Sequence, residues 1–496
     1  MKKMIGLSVA AFFALTVCVP GLALSSERSY MYDADGISYS APVAYEMVRT
    51  VYGEDIGATS FDKPQDLHVA DGCIYIADTG NNRIVVTNER FCLVKTIEYG
   101  MSGGKRSELN QPCGVYKADD GLLYICDTGN FRIIALDDGQ NIVKEIKGDH
   151  LTSVNKNFQF KPQKIAVGRE SDLYVVAPEV YQGIMHYRAD GTFMGFFAPN
   201  DVEVTAAVRL VDVWKNIFSE EQQDKLEKTL PSPYNNVFIG KDRYIYTTAD
   251  NVPVGDEIKC INQMGKNILH GTHTGASGLS FGDLETSYEN GALVKSRFVD
   301  VYANGNGLLC VLDRTRGRIF QYDSECNLLC VFGGNTSYGG CLREPVALEG
   351  LGDRYLVLDA QTNTVTVYAP TPYMCAVLDA LHDYSAGNYL QSLEKWESIL
   401  KQNSHYVLAY RSIGRACLQQ GDYKNAMKML QKGDDKYFYS MALKEYRKEY
   451  LRDNFWWTSL LGVLLIVGLV VGVKHLRRWL LMPRSNRVAV KKGGKK

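Results

Sequence analysis

Three acid–arginine pairs with one spacing are the first candidate chemistry in this chain: Asp78/Arg83, Asp127/Arg132 and Asp313/Arg318. A carboxylate and a guanidinium placed like this can hold a charged ligand or close a tight turn on themselves. Because the pair recurs, it reads as part of a repeated unit's own construction, the acid accepting turn N–H groups and the arginine pairing across the turn. A second set of positions varies between units and is more informative. Short apolar runs follow Pro64, Pro112, Pro162 and Pro345, and the fourth residue after each proline is His68, Tyr116, Ala166 and Glu349, with Tyr302 close to that place in a further unit. If this column shares one face, it makes a polar, aromatic recess. A histidine and a glutamate are potential ligands for a divalent ion, but Zn²⁺ takes about four N, O or S donors. His150, His186, His270 and His273 fall in turns or outer strands, so neither a metal nor a cofactor is expected. The chain has no G-x-S-x-G, HExxH, phosphate-loop or dinucleotide fingerprint.

The elements that must position these residues repeat as well. Asp78-Thr79-Gly80-Asn81-Asn82-Arg83-Ile84 follows the apolar run Cys73–Ala77, and the phrase returns 49 residues later as Asp127–Ile133 after Leu122–Cys126. Leu308–Ile319 keeps the spacing, and Tyr355–Val365 keeps all but the arginine. Each copy predicts a strand, a tight Gly/Asn turn and a second strand. Self-similarity at this period predicts an all-β six-bladed propeller, with degenerate blades near Asn235–Ala249 and Phe298–Tyr322. The phrase, together with Phe61–Leu67, Leu109–Val115, Phe160–Ile165 and Leu342–Leu348, resembles the NHL repeat. Some NHL propellers bind RNA through a basic face, but 55 basic and 56 acidic residues leave a net charge of −1, with no basic cluster to recruit nucleic acid. Propeller lyases with zinc need several converging histidines, and only His68 occupies the column. Propeller lactonases of the gluconolactonase type surround a metal with Glu, Asn and Asp; Glu349 would be one ligand, without a matching set.

Lys2, Lys3, the apolar run Ile5–Val19 and Pro20–Ala23 predict a secretory signal over residues 1–23. Of the eleven remaining cysteines, Cys73, Cys126 and Cys310 read as small buried hydrophobes, and Cys326/Cys330 and Cys326/Cys341 are the pairs near enough in sequence to bridge. Tyr45–Gly53 matches the outer-strand stretch Phe91–Ile97 and is expected to complete blade six, closing the propeller over 24–370. An insertion at about 204–231 places Val208, Val211, Trp214, Ile217 and Phe218 at helical spacing. It is either a packed loop elaboration or, through Trp214 and Phe218, a partner-docking element.

Past Pro370 the apolar period changes to that of helices, expected over 371–454. Gly387-Asn388-Tyr389 and Gly421-Asp422-Tyr423 lie 34 residues apart, each opening a helix, with the small-residue stretch Ala409–Ala416 between them. These features resemble tetratricopeptide repeats. Phe455–Val473 has no charge and is long enough to span a bilayer, with Trp456 and Trp457 at its start. The tail 474–496 carries nine Lys or Arg and no acid, which predicts a cytoplasmic C-terminus and an extracytoplasmic propeller. The whole arrangement resembles membrane-anchored NHL/tetratricopeptide proteins that accompany bacterial sugar-uptake ABC transporters, and that resemblance implies a transporter component as partner. The expected function is a non-catalytic, single-pass binding or scaffold protein for a protein or glycan. A metal-dependent lactonase or lyase using His68 and Glu349 is the alternative, and a surface sensor the third reading.

Overall fold

The computed structural model describes residues 29–33, 35–148, 159–200, 231–269, 281–283, 287–289, 292–335 and 341–481. The leader 1–23, Trp214 and Phe218 of the insertion, His150, His270, His273 and the tail beyond 481 lie outside them. The chain divides into two compact units, residues 1–408 and 409–496.

The first unit opens with a hairpin, β1 (Tyr30–Tyr32) and β2 (Ser38–Ser40), followed by β3 (Tyr45–Val51). Blade one is β4 to β7 (Asp66–Ala70, Cys73–Asp78, Arg83–Asn88, Leu93–Ile97), and a small hairpin, β8 (Tyr99–Ser102) and β9 (Lys105–Glu108), leads to blade two. That blade is β10 to β13 (Pro112–Lys117, Leu123–Asp127, Arg132–Leu136, Ile142–Lys147), and blade three is β14 to β17 (Lys164–Val167, Leu173–Val176, Ile184–Tyr187, Phe193–Phe197). Blade four shows three strands among the described residues, β18 to β20 (Tyr234–Ile239, Ile245–Ala249, Ile258–Ile261), and a hairpin, β21 (Ser287–Glu289) and β22 (Ala292–Val294), precedes blade five. Blade five is β23 to β26 (Phe298–Ala303, Leu309–Asp313, Arg318–Tyr322, Leu328–Gly333), and blade six is β27 to β29 (Pro345–Leu351, Arg354–Asp359, Thr364–Pro370).

The first strand of each blade neighbours the first strand of the next, and β27 neighbours β4, so six antiparallel sheets form a closed ring. Closure comes from β3, which pairs with β29 from Val51↔Val365 to Tyr45↔Pro370 and gives blade six its fourth strand, as its match to Phe91–Ile97 predicts. Fastening the start of the chain to its last blade removes an open edge. The β1–β2 hairpin goes elsewhere. It extends blade five to six strands through Tyr30↔Val331, and the Ser29 hydroxyl donates to the same residue's carbonyl at 3.2 Å.

Apolar clusters fill five of the spaces between facing sheets, for instance Ile84, Ile97, Val115, Ile125 and Ile134 between blades one and two. These β-branched residues pack well on a pleated surface and drive the stacking of blades. Between blades five and six the filling is partly polar: Gln321 Nε2 donates to the hydroxyls of Tyr45 (3.2 Å) and Tyr355 (2.9 Å), and the Cys330 thiol donates to Gln321 Oε1 at 3.4 Å. All eleven described cysteines are free thiols, so the two candidate bridges involving Cys326 do not form.

Among the described residues six helices follow the blades: α1 (Pro372–Ser385), α2 (Tyr389–Gln402), α3 (Val407–Gln420), α4 (Tyr423–Lys432), α5 (Lys436–Asp453) and α6 (Phe455–Leu481). Thr371 caps α1 with Pro372 at the first helical position, and its hydroxyl also donates to the Val43 carbonyl at 2.6 Å, tying the helix to the closing strand. The buried Tyr406 donates to the Leu329 carbonyl on blade five at 3.0 Å. In the second unit, Gly414 lets α3 meet α4 so closely that an added Cβ would strike the Leu430 side chain. Helix α6 is 27 residues long, apolar and unburied, so its length and composition suffice to cross a membrane. Asn454 separates it from α5, yet hydrogen bonds run through the break, from Asn454 N to Tyr450 O and from Thr458 N to Asn454 O, both 3.0 Å.

Candidate functional site

The repeated phrase builds turns, and its geometry explains each residue. In blade one the buried Asp78 accepts from the Asp62 N–H (2.8 Å), Asn81 Nδ2 (2.9 Å) and Arg83 Nε (2.6 Å), while the Arg83 guanidinium also reaches Thr59 Oγ1 and the Thr59 carbonyl. Blade two repeats this wiring with Asp127, Asn110, Asn130 and Arg132. The threonine joins neighbours: Thr79 donates to the Pro112 carbonyl at 2.7 Å and Thr128 to the Pro162 carbonyl at 2.6 Å, linking one blade's turn to the proline that opens the next. Gly80 is required because any Cβ there would collide with Asp62. The residue before each arginine adopts a left-handed conformation, which suits Asn82 (φ 55°); Phe131 adopts the same angle with its side chain exposed.

Blade five departs from the expected pairing. Asp313 still accepts the Arg297 and Thr315 N–H groups at 2.8 and 2.9 Å, but its second carboxylate oxygen is buried without a hydrogen-bond partner. Burial raises its pKa. Arg318 turns instead to the buried Asp283, whose carboxylate also takes Arg316 and the Tyr30 and Tyr32 hydroxyls. The physical reason is the added hairpin: Asp283 sits where β1 docks, and an acid ringed by donors outcompetes Asp313 for the guanidinium.

Three members of the variable column, His68, Tyr116 and Glu349, meet on the first strands of blades one, two and six. His68 Nδ1 lies 3.0 Å from Glu349 Oε1, its Nε2 lies 3.3 Å from the Lys117 carbonyl, and its ring stacks on Tyr116 with centroids 4.3 Å apart. Both ring nitrogens therefore face acceptors, and only the imidazolium can donate from both. Burial alone would lower the His68 pKa, but the Glu349 carboxylate outweighs it and raises it. Phe238 occupies the equivalent place in blade four and packs against Tyr302 at 5.4 Å. Gly350 admits the tip of the Tyr302 ring, which any Cβ at that position would displace. Burial and the nearby Glu349 push both Tyr116 and Tyr302 up to about 12.

One layer deeper lies a charge network that the variable column did not reveal. Lys164 Nζ donates to Asp66 Oδ1 at 2.5 Å and sits 3.6 Å from Asp300 Oδ2, so one ammonium joins inner strands of blades one, three and five. Each of the three residues is less than a tenth exposed. Asp66 Oδ2 accepts the Val115 N–H and Asp300 Oδ2 the Leu348 N–H, both 2.9 Å, and Asn236 donates to Asp300 Oδ1. Burial pushes the Asp300 carboxyl up to about 7 against the pull of Lys164; burial also works to lower the Lys164 pKa, but Asp300 and Asp66 together outweigh it and raise it. Two residues before His68, Glu349 and their equivalents, this column reads Asp66, Gly114, Lys164, Asn236, Asp300 and Ala347. Ionisable residues inside apolar strand runs were the available signal. Among the described residues no three His, Cys, Asp or Glu side chains group as a metal-ligand set. His186, outside both layers, pairs with Asp172 at 2.9 Å.

No protein-family description matches the chain, and no curated protein does. Similar solved structures include a catalytically inactive virginiamycin B lyase from Staphylococcus aureus with quinupristin, at 12% identity over 68% of this chain and 87% of that one, TM-score 0.38. A Bacteroides fragilis protein described as exported aligns at 8% identity over 67% of this chain and 98% of that one, TM-score 0.41. The extracellular domain of a hybrid two-component system from B. thetaiotaomicron aligns at 12% identity over 69% of this chain and 38% of that one, TM-score 0.36. Likeness of this degree carries no activity across, and the propeller assignment rests on the chain's own strand pairing.

Proposed function

We propose that this protein is a membrane-anchored, extracytoplasmic binding or scaffold protein, with a non-catalytic propeller that presents its mouth and rim to a protein or glycan partner. The observation that carries the reading is the state of His68. His68 has Nδ1 against Glu349, Nε2 against the Lys117 carbonyl and its ring stacked on Tyr116, so both ring nitrogens already have protein partners rather than a metal or a substrate proton. These partners support a structural rather than a catalytic part for His68 in this reading. The unburied apolar helix α6 supports a single span, and the basic residues of the tail support a cytoplasmic C-terminus. The resemblance of the repeats to NHL and tetratricopeptide modules, both commonly interaction platforms, favours a transporter component among candidate partners.

The test is crosslinking in intact membranes with the full-length protein as bait, followed by mass spectrometry, with elemental analysis and a lactone-hydrolysis assay on the same preparation. Recovery of transporter subunits by a metal-free, inactive protein is expected. A stoichiometric divalent metal with turnover abolished by His68→Gln and Glu349→Gln would replace this reading with the metal-dependent lactonase or lyase.

A further inference from the structure

We infer that the channel mouth binds a neutral, polyhydroxylated ring, a sugar residue either free or at the end of a glycan; this rests on the binding-protein reading above and names the ligand class. Four features of the mouth converge on that chemistry. The first is room. Two residues beyond His68, Tyr116, Ala166 and Phe238, the inner strands carry the small residues Ala70, Ala118, Gly168 and Gly240, whose own side chains take up little space above that layer. The second is unmatched hydrogen-bonding capacity. Among the described residues the Tyr116 and Tyr302 hydroxyls have no hydrogen-bond partner, and the same Glu349 carboxylate acts on both phenols. Glu349 spends Oε1 on His68, while Oε2 has only the 3.3 Å contact with the next N–H, that of Gly350. Two hydroxyls that donate and accept, beside an oxygen that only accepts, match vicinal ring hydroxyls.

The third feature is apolar surface. Tyr116, Phe238 and Tyr302 are rigid aromatic side chains only partly buried, Tyr116 with one face on His68 and Phe238 against Tyr302, and the surface they leave uncovered suits the C–H side of a sugar at little cost in side-chain entropy. The fourth is charge balance. Glu349 already faces His68, and Lys164 is shared between Asp66 and Asp300 beneath them, so each ionisable group here has a partner of opposite type. A site whose charges are already paired gives an ionised ligand no partner for its own charge, and burying that charge unpaired is costly.

Saturation-transfer NMR and titration calorimetry on the full-length protein in detergent test this directly. The probes are glucose, galactose and N-acetylglucosamine, the disaccharides maltose and lactose, and the ions choline and citrate as charged controls. At least one sugar is expected to bind, and Tyr116→Phe and Tyr302→Phe should each weaken it roughly three- to tenfold, the worth of one hydrogen bond, with the circular dichroism unchanged. Tighter binding of a disaccharide than of its monosaccharide assigns a glycan end; the reverse assigns a free sugar. Choline or citrate binding above every sugar, or sugar affinity unmoved in the double phenylalanine variant, overturns the inference. If no sugar binds while membrane crosslinking still recovers a partner, the ligand class falls and the binding-protein reading stands. Metal-dependent hydrolysis without sugar retention defeats both.

Discussion

Blades one and two solve their turns internally, whereas blade five uses the same phrase to hold something foreign to it. Asp78 and Asp127 each keep the arginine five residues on, at 2.6 and 2.7 Å. Asp313 has lost its arginine to Asp283, and the guanidinium now stacks on Tyr30 of the docked hairpin, 4.6 Å from the ring centroid. The backbone job of the acid survives in all three blades, since each accepts the N–H of the segment that precedes its blade. The arginine's job does not. A repeated residue thus fixes the turn, while a change in its partner marks where the chain has attached an extra element.

The comparison is broken most severely by Asp78→Ala. The substitution leaves Arg83 buried without its carboxylate and strips acceptors from Asp62 and Asn81, a loss of about 3–5 kcal/mol. The urea midpoint of the full-length protein measures it. A cost no larger than that of Asp313→Ala would show that the two turns are equivalent after all. Asp283→Ala probes the other side. Arg316 and Arg318 are each about a quarter exposed, so water recovers part of what the carboxylate gave, and the expected cost is about 1–3 kcal/mol. Its signature is local: the Tyr30–Ser40 hairpin should become the first site of limited proteolysis, with the blades still protected.

What sequence could and could not reveal follows the same division. The repeating phrase announced the blades, and the likeness of Tyr45–Gly53 to Phe91–Ile97 announced the closing strand, because both are local patterns. The docking of Tyr30 on Val331 was not legible, since a three-residue strand carries no register of its own and its partner lies 301 positions away. At the site, His68, Tyr116, Tyr302 and Glu349 were found by asking which position differs between blades. The Lys164 network escaped because only one channel-facing column was compared, and Asp300 sits in a degenerate blade without the guiding proline. The diversion of Arg318 depends on Asp283, an acid in a stretch with no repeat signal at all.

That network gives blade five a second difference, one that pH should expose. The folded Asp300 carboxyl titrates at about 7 against an ordinary value of 3.8, so the fold holds this proton more tightly than the unfolded chain does. Stability from this group is greatest below pH 3.8 and is lost as pH rises toward about 7. His68 acts in the same direction. Its raised value means that the stabilising imidazolium is fully present below 6.5 and is lost as pH rises through the folded value. Thermal midpoints should therefore fall by a few degrees on going from mildly acidic to mildly alkaline buffer. Asp300→Asn should flatten the Asp300 part of that slope and leave the His68 part, and a midpoint that climbs with pH across the same window contradicts the assignment.

The smallest expected effect sharpens the comparison most. Asp313→Asn keeps an oxygen for the Arg297 and Thr315 N–H groups and removes a buried carboxylate oxygen that no donor reaches. The raised carboxyl already signals that its charge is unwelcome, so neutralising it should change stability by less than about 1 kcal/mol. The same change at Asp78 takes a charge away from a buried arginine and should cost about 1–3 kcal/mol. Measured side by side by urea unfolding, two isosteric substitutions at equivalent positions then differ only in whether the arginine stayed. If Asp313→Asn proves as damaging as Asp78→Asn, the carboxylate in blade five is carrying charge after all, and the diversion of Arg318 has not released it.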